Sequence, residues 1–208
     1  MKSGKALIAA TLTATFIAIG GVITVTAASV THTVEAGDSM WKLAVRYQIG
    51  ISELVAANPQ IKNSALIYVG DKVNVPNIDD VKQLEQQVAQ MVNEERDKAG
   101  LAPLKMNWEV SRTARYKSQD MIDKRYFAHQ SPTYGSPFNM MESFGIRFSA
   151  GGENIAYGQR TPTEVMQAWM DSPGHRANIM SAVYNEIGVG AAKAANGTLY
   201  WTQLFIKR

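Results

Sequence analysis

No Asp, Glu, Lys or Arg interrupts the chain between Lys5 and Glu35. The apolar part of that run, Ala6 to Ala28, is too long and too poor in charge to fold into water with the remainder, which takes residues 1–28 out of any globular fold. Lys2 and Lys5 form a positive start, and the small residues Val25-Thr26-Ala27-Ala28 close the segment. Two readings follow: a secretory signal cleaved after Ala27 or Ala28, or a retained membrane anchor. Both put Arg46 and everything after it outside the cytoplasm, because the lysines ahead of an apolar run stay inside.

The formal net charge of +3 rests on 21 basic and 18 acidic residues. Loss of Lys2 and Lys5 with the leader brings it close to neutrality, far from the concentrated basic surface of a nucleic-acid binder. No nucleic-acid partner is therefore expected, and a membrane partner only if the leader is kept. The chain has no cysteine, which excludes thiol nucleophiles, disulfide scaffolds and cysteine zinc sites. Histidine chemistry has three addresses, His32, His129 and His175.

Behind the leader, residues 31–76 carry their own punctuation. Thr31 to Glu35 reads as a strand, and Gly37-Asp38-Ser39 as a turn and helix N-cap. Met40, Leu43, Ala44 and Tyr47 fall at i, i+3, i+4 and i+7, the buried stripe of a helix. Ser52 is expected to cap a second helix through Leu54, Val55 and Ala57, stopped by Asn58-Pro59. Lys72 to Val75 alternates as a closing strand.

This strand-helix-helix-strand order, with His32 to Ala44, Leu54 to Ile61 and Ile67 to Pro76, resembles a LysM module. The resemblance implies binding of N-acetylglucosamine glycans such as peptidoglycan. It implies a groove formed by Gly37, Asp38, Ser39 and Met40 facing Asn58, Pro59, Gln60 and Ile61. Exposed N–H groups at a helix start and a shallow apolar floor suit an N-acetyl group. Capping by Asp38 and Ser39 and helix termination by Asn58-Pro59 explain the same residues without a sugar. Trp41 is expected to pack rather than to stack on a sugar ring.

Residues 77–84 are expected to link this unit to a second one over 85–208. Val81, Leu84, Val88, Met91 and Val92 mark an amphipathic helix ended by Gly100. Asn107 and Thr161-Pro162 read as helix starts, as does Ser172-Pro173. The end of the chain switches period, and Asn196-Gly197 between two apolar runs signals a hairpin. Helices with antiparallel strands predict an α+β class with a sandwich-like second unit.

In this second unit His129, Glu153 and His175 are expected at loop or helix-start positions beside Gly or Pro, where side chains can converge on a cleft. Two imidazoles and a carboxylate could hold a divalent ion such as zinc or exchange protons as acid and base. Hydrogen-bonded structural histidines are the alternative, since their spacing matches no metal signature. A first-turn position for His175 would favour its neutral form. No Gly-x-Ser-x-Gly surrounds any serine, Ser131 included, which disfavours a serine hydrolase. Asn154 and Arg176 are expected to act as a backbone cap and an ion-pair partner.

The segments Asn93-Glu94-Glu95-Arg96, Tyr126-Phe127-Ala128-His129, Gly152-Glu153-Asn154-Ile155-Ala156, Ser172-Pro173-Gly174-His175-Arg176 and Ile187-Gly188-Val189-Gly190 together resemble a bacterial CAP domain, of the cysteine-rich secretory, antigen 5 and pathogenesis-related group. The resemblance implies an α-β-α sandwich with a cleft of two His and two acidic residues, which binds zinc or other divalent ions in some members. His129, Glu153 and His175 match three of these positions. The fourth does not match cleanly; Asp171 is the weaker substitute, with Glu164 assigned to a capping box. The pair of domains implies a secreted protein of the cell wall or spore envelope that binds peptidoglycan, with a link to sporulation. A cell-wall hydrolase or other metal-assisted hydrolase using the His129, Glu153 and His175 cleft is the alternative.

Overall fold

The computed structural model describes residues 30–208. The leader read over residues 1–28 lies outside them.

The first unit begins with β1 (Val30–Thr33), α1 (Met40–Tyr47), α2 (Ile51–Ala56) and β2 (Lys72–Val75). The strands pair antiparallel, Val30 opposite Val75. A two-stranded sheet is marginal by itself, and the two helices supply the missing apolar face. Val34, Met40, Leu43, Leu54 and Val73 form the core, with Leu43 and Leu54 fully buried. Each such leucine contributes roughly 1.5–3 kcal/mol.

Ser39 caps α1 as expected, its hydroxyl accepting from Lys42 N–H at 3.2 Å. Ser52 does not cap α2. Gly50 is the N-cap, and the Ser52 hydroxyl instead meets Glu53 and Tyr116.

Helix α3 (Asp79–Lys98) starts within the expected linker, so only residues 76–78 separate it from β2. Asp79 and Asp80 favour this early start, since acidic side chains in the first turn complement the helix dipole. Gly100, at φ +69°, ends the helix in the left-handed region open to glycine. The chain continues as β3 (Lys105–Met106), α4 (Trp108–Asp123), α5 (Pro137–Ser143), β4 (Ala150–Tyr157), α6 (Pro162–Asp171), α7 (Pro173–Ile179), β5 (Glu186–Lys193) and β6 (Leu199–Lys207). Asn107 and Thr161 cap α4 and α6 with their side chains, as expected.

The sheet order is β3-β5-β6-β4. β5 and β6 form the hairpin around Asn196-Gly197, while β3 lies parallel to β5. One face of the sheet meets α4, where Val110 and Ala114 pack on Leu204 and Ile206. The other meets α3 and α6, where Val88, Val92 and Trp169 pack on Val189, Trp201 and Phe205. The result is the expected α-β-α sandwich in an α+β chain.

The two units touch. The Tyr116 hydroxyl on α4 donates to Glu53 Oε2 at 2.5 Å, and Lys82 Nζ donates to the Tyr47 carbonyl at 2.8 Å. Burial, reinforced by the Glu53 carboxylate, pushes the Tyr116 phenol up to about 12.

Candidate functional site

Strand β4 forms the floor of the site. Glu153 sits in the middle of this strand rather than in a loop, because Gly151 and Gly152 mask a strand that the register makes plain: Glu153 lies opposite Leu204 and Tyr157 opposite Tyr200. Side chains alternate across a strand. Glu153, Ile155 and Tyr157 therefore share the face that meets α4, and Asn154 faces the other layer. A Cβ at Gly152 would lie 2.7 Å from the Tyr184 hydroxyl, so a side chain there would require Tyr184 to shift.

β4 is also an edge strand, and unpaired edge carbonyls invite foreign strands. Here side chains cover alternate ones: Tyr184 donates to Gly151, Asn178 to Glu153 and Trp169 to Ile155.

The segment after α4 crosses over this floor and places His129 Nδ1 2.7 Å from Glu153 Oε1. The carboxylate side chain is 2% exposed and the imidazole 57%. A solvent-facing ring thus stands on a buried anion. The hydrogen bond to Glu153 raises the His129 pKa above its ordinary value of 6.5, against the opposing effect of burial. Glu153 Oε2 is buried without a hydrogen-bond partner.

His175 occupies the third position of α7, half-buried. Burial lowers its pKa, and the charge of His129 lowers it further. The expected neutral form is thus favoured by desolvation. Asn154, fully buried, donates to the His175 carbonyl at 3.1 Å and to Gln203 Oε1 at 3.0 Å, while Asn178 donates to Asn154 Oδ1 at 2.8 Å. This bridge fixes α7 to β4.

Asp171 stands apart from the cluster. It is exposed and accepts from Gln167 one turn earlier on α6. Glu164 accepts from the Arg160 N–H at 2.7 Å, a capping role. Arg176 is exposed and has no ion pair among the described residues, contrary to expectation.

Two further residues hold the site and were not anticipated. Lys117 on α4 is 1% exposed, and its ammonium donates to the carbonyls of Ala128 at 2.8 Å and His129 at 2.7 Å and to the Tyr126 hydroxyl at 3.2 Å. Asp120, one turn on, accepts from the hydroxyls of Tyr126, Ser131 and Thr133. Ser131 is thereby committed to a buried structural bond. The lysine and the aspartate anchor the His129 segment from beneath.

Among the described residues no group of three or more His, Cys, Asp or Glu side chains could hold a metal ion. Glu153 engages His129 through Nδ1, the kind of carboxylate contact that orients a histidine ring. What the arrangement offers is a pair of imidazoles displaced in opposite directions. Environments that separate two pKa values in this way divide acid and base roles.

This gives a direct expectation for a titration followed by NMR. His129 should titrate above 6.5 and His175 below it, and Glu153→Gln should bring the His129 midpoint down. An unchanged His129 midpoint in the variant would contradict the pairing. The sign for stability follows: the raised His129 pKa contributes stability that is fully present below the unfolded value and is lost as pH rises through the folded one.

In the first unit the expected sugar residues divide. Met40 is 2% exposed and belongs to the core. Asn58 is 1% exposed and spends its amide internally, donating to the Leu54 and Asn74 carbonyls and accepting from Asn74 N–H, each at 2.7 Å. Neither side chain is available to a glycan. Asp38 braces the first loop, bonded to His32 at 2.8 Å, Arg46 at 3.2 Å and the Glu35 N–H at 3.0 Å. The Glu35 N–H chiefly, then His32, lowers its pKa.

Pro59 and Gln60 are exposed. A groove of about 520 Å³ is lined by Gln60, Ile61, Lys62 and Asn63 after α2 and by Asp71, Lys72 and Asn74 around the start of β2, with Leu66 and Tyr68 between them. Trp41 does not pack: it is 64% exposed, one position off the Met40, Leu43, Ala44 stripe.

A small strand-helix-helix-strand unit joined to an α-β-α sandwich, with a His-Glu pair on an edge strand, defines a two-domain class of CAP protein. The chain belongs to the cysteine-rich secretory protein (CAP) family, which it matches over residues 89–205, and it carries a LysM domain over residues 32–76. Among its relatives is YkwD of Bacillus subtilis (strain 168), 54% identical over 126 residues that make up 61% of this chain and 48% of that protein. The membrane protein YlbC of the same strain is 32% identical over 149 residues, 69% of this chain and 42% of YlbC. The chain thus spans less than half the length of either relative.

An extracellular protein containing an SCP domain, from Bacillus anthracis str. Ames, shares the fold at a TM-score of 0.57 and 30% identity, covering 67% of this chain and 47% of that one. Among the described residues no helix is long and apolar enough to cross a membrane.

Proposed function

We propose that the protein is a secreted cell-envelope protein that binds peptidoglycan, or another N-acetylglucosamine polymer, through its LysM domain and holds its CAP domain against the wall. The observation that carries this is the exposed groove at Gln60 and Ile61 within a LysM domain whose adjoining loops are braced by Asp38 and Asn58. Secretion follows from the leader read in residues 1–28, and residence in the wall or spore envelope, with a role in sporulation, belongs to the same proposal.

Sedimentation with purified insoluble peptidoglycan tests it. The intact mature chain should pellet, and a chain lacking residues 32–76 should stay in the supernatant. Equal pelleting of the two would reject wall binding through the LysM domain.

The opposite displacement of the two imidazoles favours a second reading, a hydrolase in the same chain. In it, neutral His175 takes a proton from water while protonated His129, held by Glu153, gives one to the leaving group. Turnover of labelled wall fragments should then fall at least about 100-fold in His129→Ala and in His175→Ala, the usual contribution of a positioned acid or base. Turnover surviving in both variants would remove this reading and leave wall binding untouched.

A further inference from the structure

The seam between the two units holds a cavity that neither the His129 site nor the LysM groove uses. Its volume is about 320 Å³, at the small end of the range of about 300–1,000 Å³ for ligand pockets, which favour domain interfaces. Ile49 from the first unit, Ile78 and Val81 around the start of α3, and Ala191 and Ala192 from β5 line it with aliphatic groups.

Arg115 of α4 lines the same cavity, with a side chain 12% exposed. Its Nε lies 2.9 Å from Glu85 Oε1, and among the described residues its two terminal nitrogens have no hydrogen-bond partner. Burial pushes the Glu85 carboxyl up to about 8, so near neutrality it offsets the guanidinium only in part. Glu53 is the one carboxylate on the lining, and the hydroxyls of Ser52 and Tyr116 already hold it.

The strand beside the cavity has an open edge. β3 covers only Glu186 and Ile187 of β5. Farther along, the Val189 N–H donates to Ser111 Oγ at 3.2 Å and the Ala191 N–H to Glu85 Oε1 at 3.4 Å. Lys193 is the next residue to turn its backbone outward. Its partner across the hairpin, Leu199, spends its carbonyl on the Gly158 N–H on the far side, so Lys193 presents its own N–H and carbonyl away from β6. Lys193 lines the cavity with Ala191 and Ala192.

Each feature narrows the occupant. Guanidinium nitrogens without a partner take a carboxylate, and an open strand edge takes an extended peptide backbone. Aliphatic walls around so small a space admit small side chains. An acyl chain would leave the strand edge unpaired, and a sugar would set its hydroxyls against methyl groups.

We propose that this seam binds the end of a short peptide that has a free carboxylate and small aliphatic side chains. The carboxylate meets Arg115, the backbone pairs with the β5 edge at Lys193, and the side chains lie among Ile49, Val81 and Ala192. The peptide stems of peptidoglycan end in such groups; naming them as the source rests on the reading of the chain as a wall binder, whereas the site itself does not.

The test is a methyl NMR titration of the full mature chain with D-alanyl-D-alanine, its C-terminal amide and L-alanyl-L-alanine. Methyl signals of Ile49, Val81, Ala191 and Ala192 report the seam. They should move with D-alanyl-D-alanine, and the amide should bind about tenfold more weakly, a loss of about 1.4 kcal/mol. The Glu85→Gln and Arg115→Gln double variant removes both charges of the pair, so neither is left buried alone; in it the acid should bind no more tightly than the amide. Seam signals that stay still with every dipeptide, or that respond equally to acid and amide in the parent chain, would overturn the site whether or not the double variant folds. A response to L-alanyl-L-alanine alone would overturn the wall peptide as the occupant. A chain that binds D-alanyl-D-alanine at the seam but fails to pellet with peptidoglycan would uphold the site and reject the LysM reading instead.

Discussion

Replacing Lys117 by methionine is expected to cost the protein about 3 kcal/mol or more, the range found when one partner of a buried charged network is removed. Methionine fills the space of the lysine stem but offers no donor. The carbonyls of Ala128 and His129 would lose their ammonium partner, and with it the contacts that tie this segment to α4. Asp120 would keep its three hydroxyl donors but lose the nearby positive charge, one of the influences that hold its carboxyl below the ordinary range. Urea unfolding checks the stability, and amide exchange at residues 126–130 should rise before global unfolding. A midpoint within about 0.5 kcal/mol of the parent, the span of ordinary surface changes, would show that Lys117 does not anchor the segment.

The second large effect is expected at Gly190. A Cβ there would lie 2.1 Å from the Arg115 amide nitrogen and 2.2 Å from the Ala114 carbonyl carbon. Gly188 meets the Ser111 nitrogen at 2.3 Å in the same way. These are backbone atoms of α4, so no change of rotamer relieves the clash; the helix must move off β5. Gly190→Ala should therefore fall at the upper end of overpacking costs, about 3 kcal/mol.

The damage should reach the site, because α4 carries Lys117 and Asp120. Gly174→Ala is the matched control: nothing lies within 4 Å of its Cβ position, and its unfolding midpoint should barely move. Equal midpoints for the two variants would refute the close contact of α4 with the sheet.

Much of this fold can be read from side chains that act locally. Ser39, Asn107 and Thr161 cap the helices they precede because their oxygens reach N–H groups two or three residues ahead. The Lys72 to Val75 strand shows its alternation directly, with Val73 and Val75 inside. β4 is hidden for the opposite reason: Gly151 and Gly152 give no strand signal, and only tertiary contacts with Phe138 and Tyr184 explain them. Trp41 shows that a large apolar residue next to a buried stripe need not join it.

The sequence points to His129 and Glu153, which the fold brings within hydrogen-bond reach, and not to the residues beneath them. Asp171 attracts notice by following the core residue Trp169, yet the helix turns its carboxylate to solvent. Lys117 left a readable sign: with Val110, Ala114 and Met121 it falls at i, i+4, i+7 and i+11, so a lysine lies on the buried stripe of α4. A charge in that position must be paired below the surface.

Only residues 76–78 lie between β2 and α3, and Tyr116 and Lys82 reach back to the first unit. Three residues extend no further than about 10 Å. If the LysM domain grips a strand of wall polymer, the edge of β4 can survey only what lies within one molecular diameter of that grip. The protein would act where it lands, as a short ruler laid on the wall, and coverage of a large surface would depend on the number of copies rather than on reach.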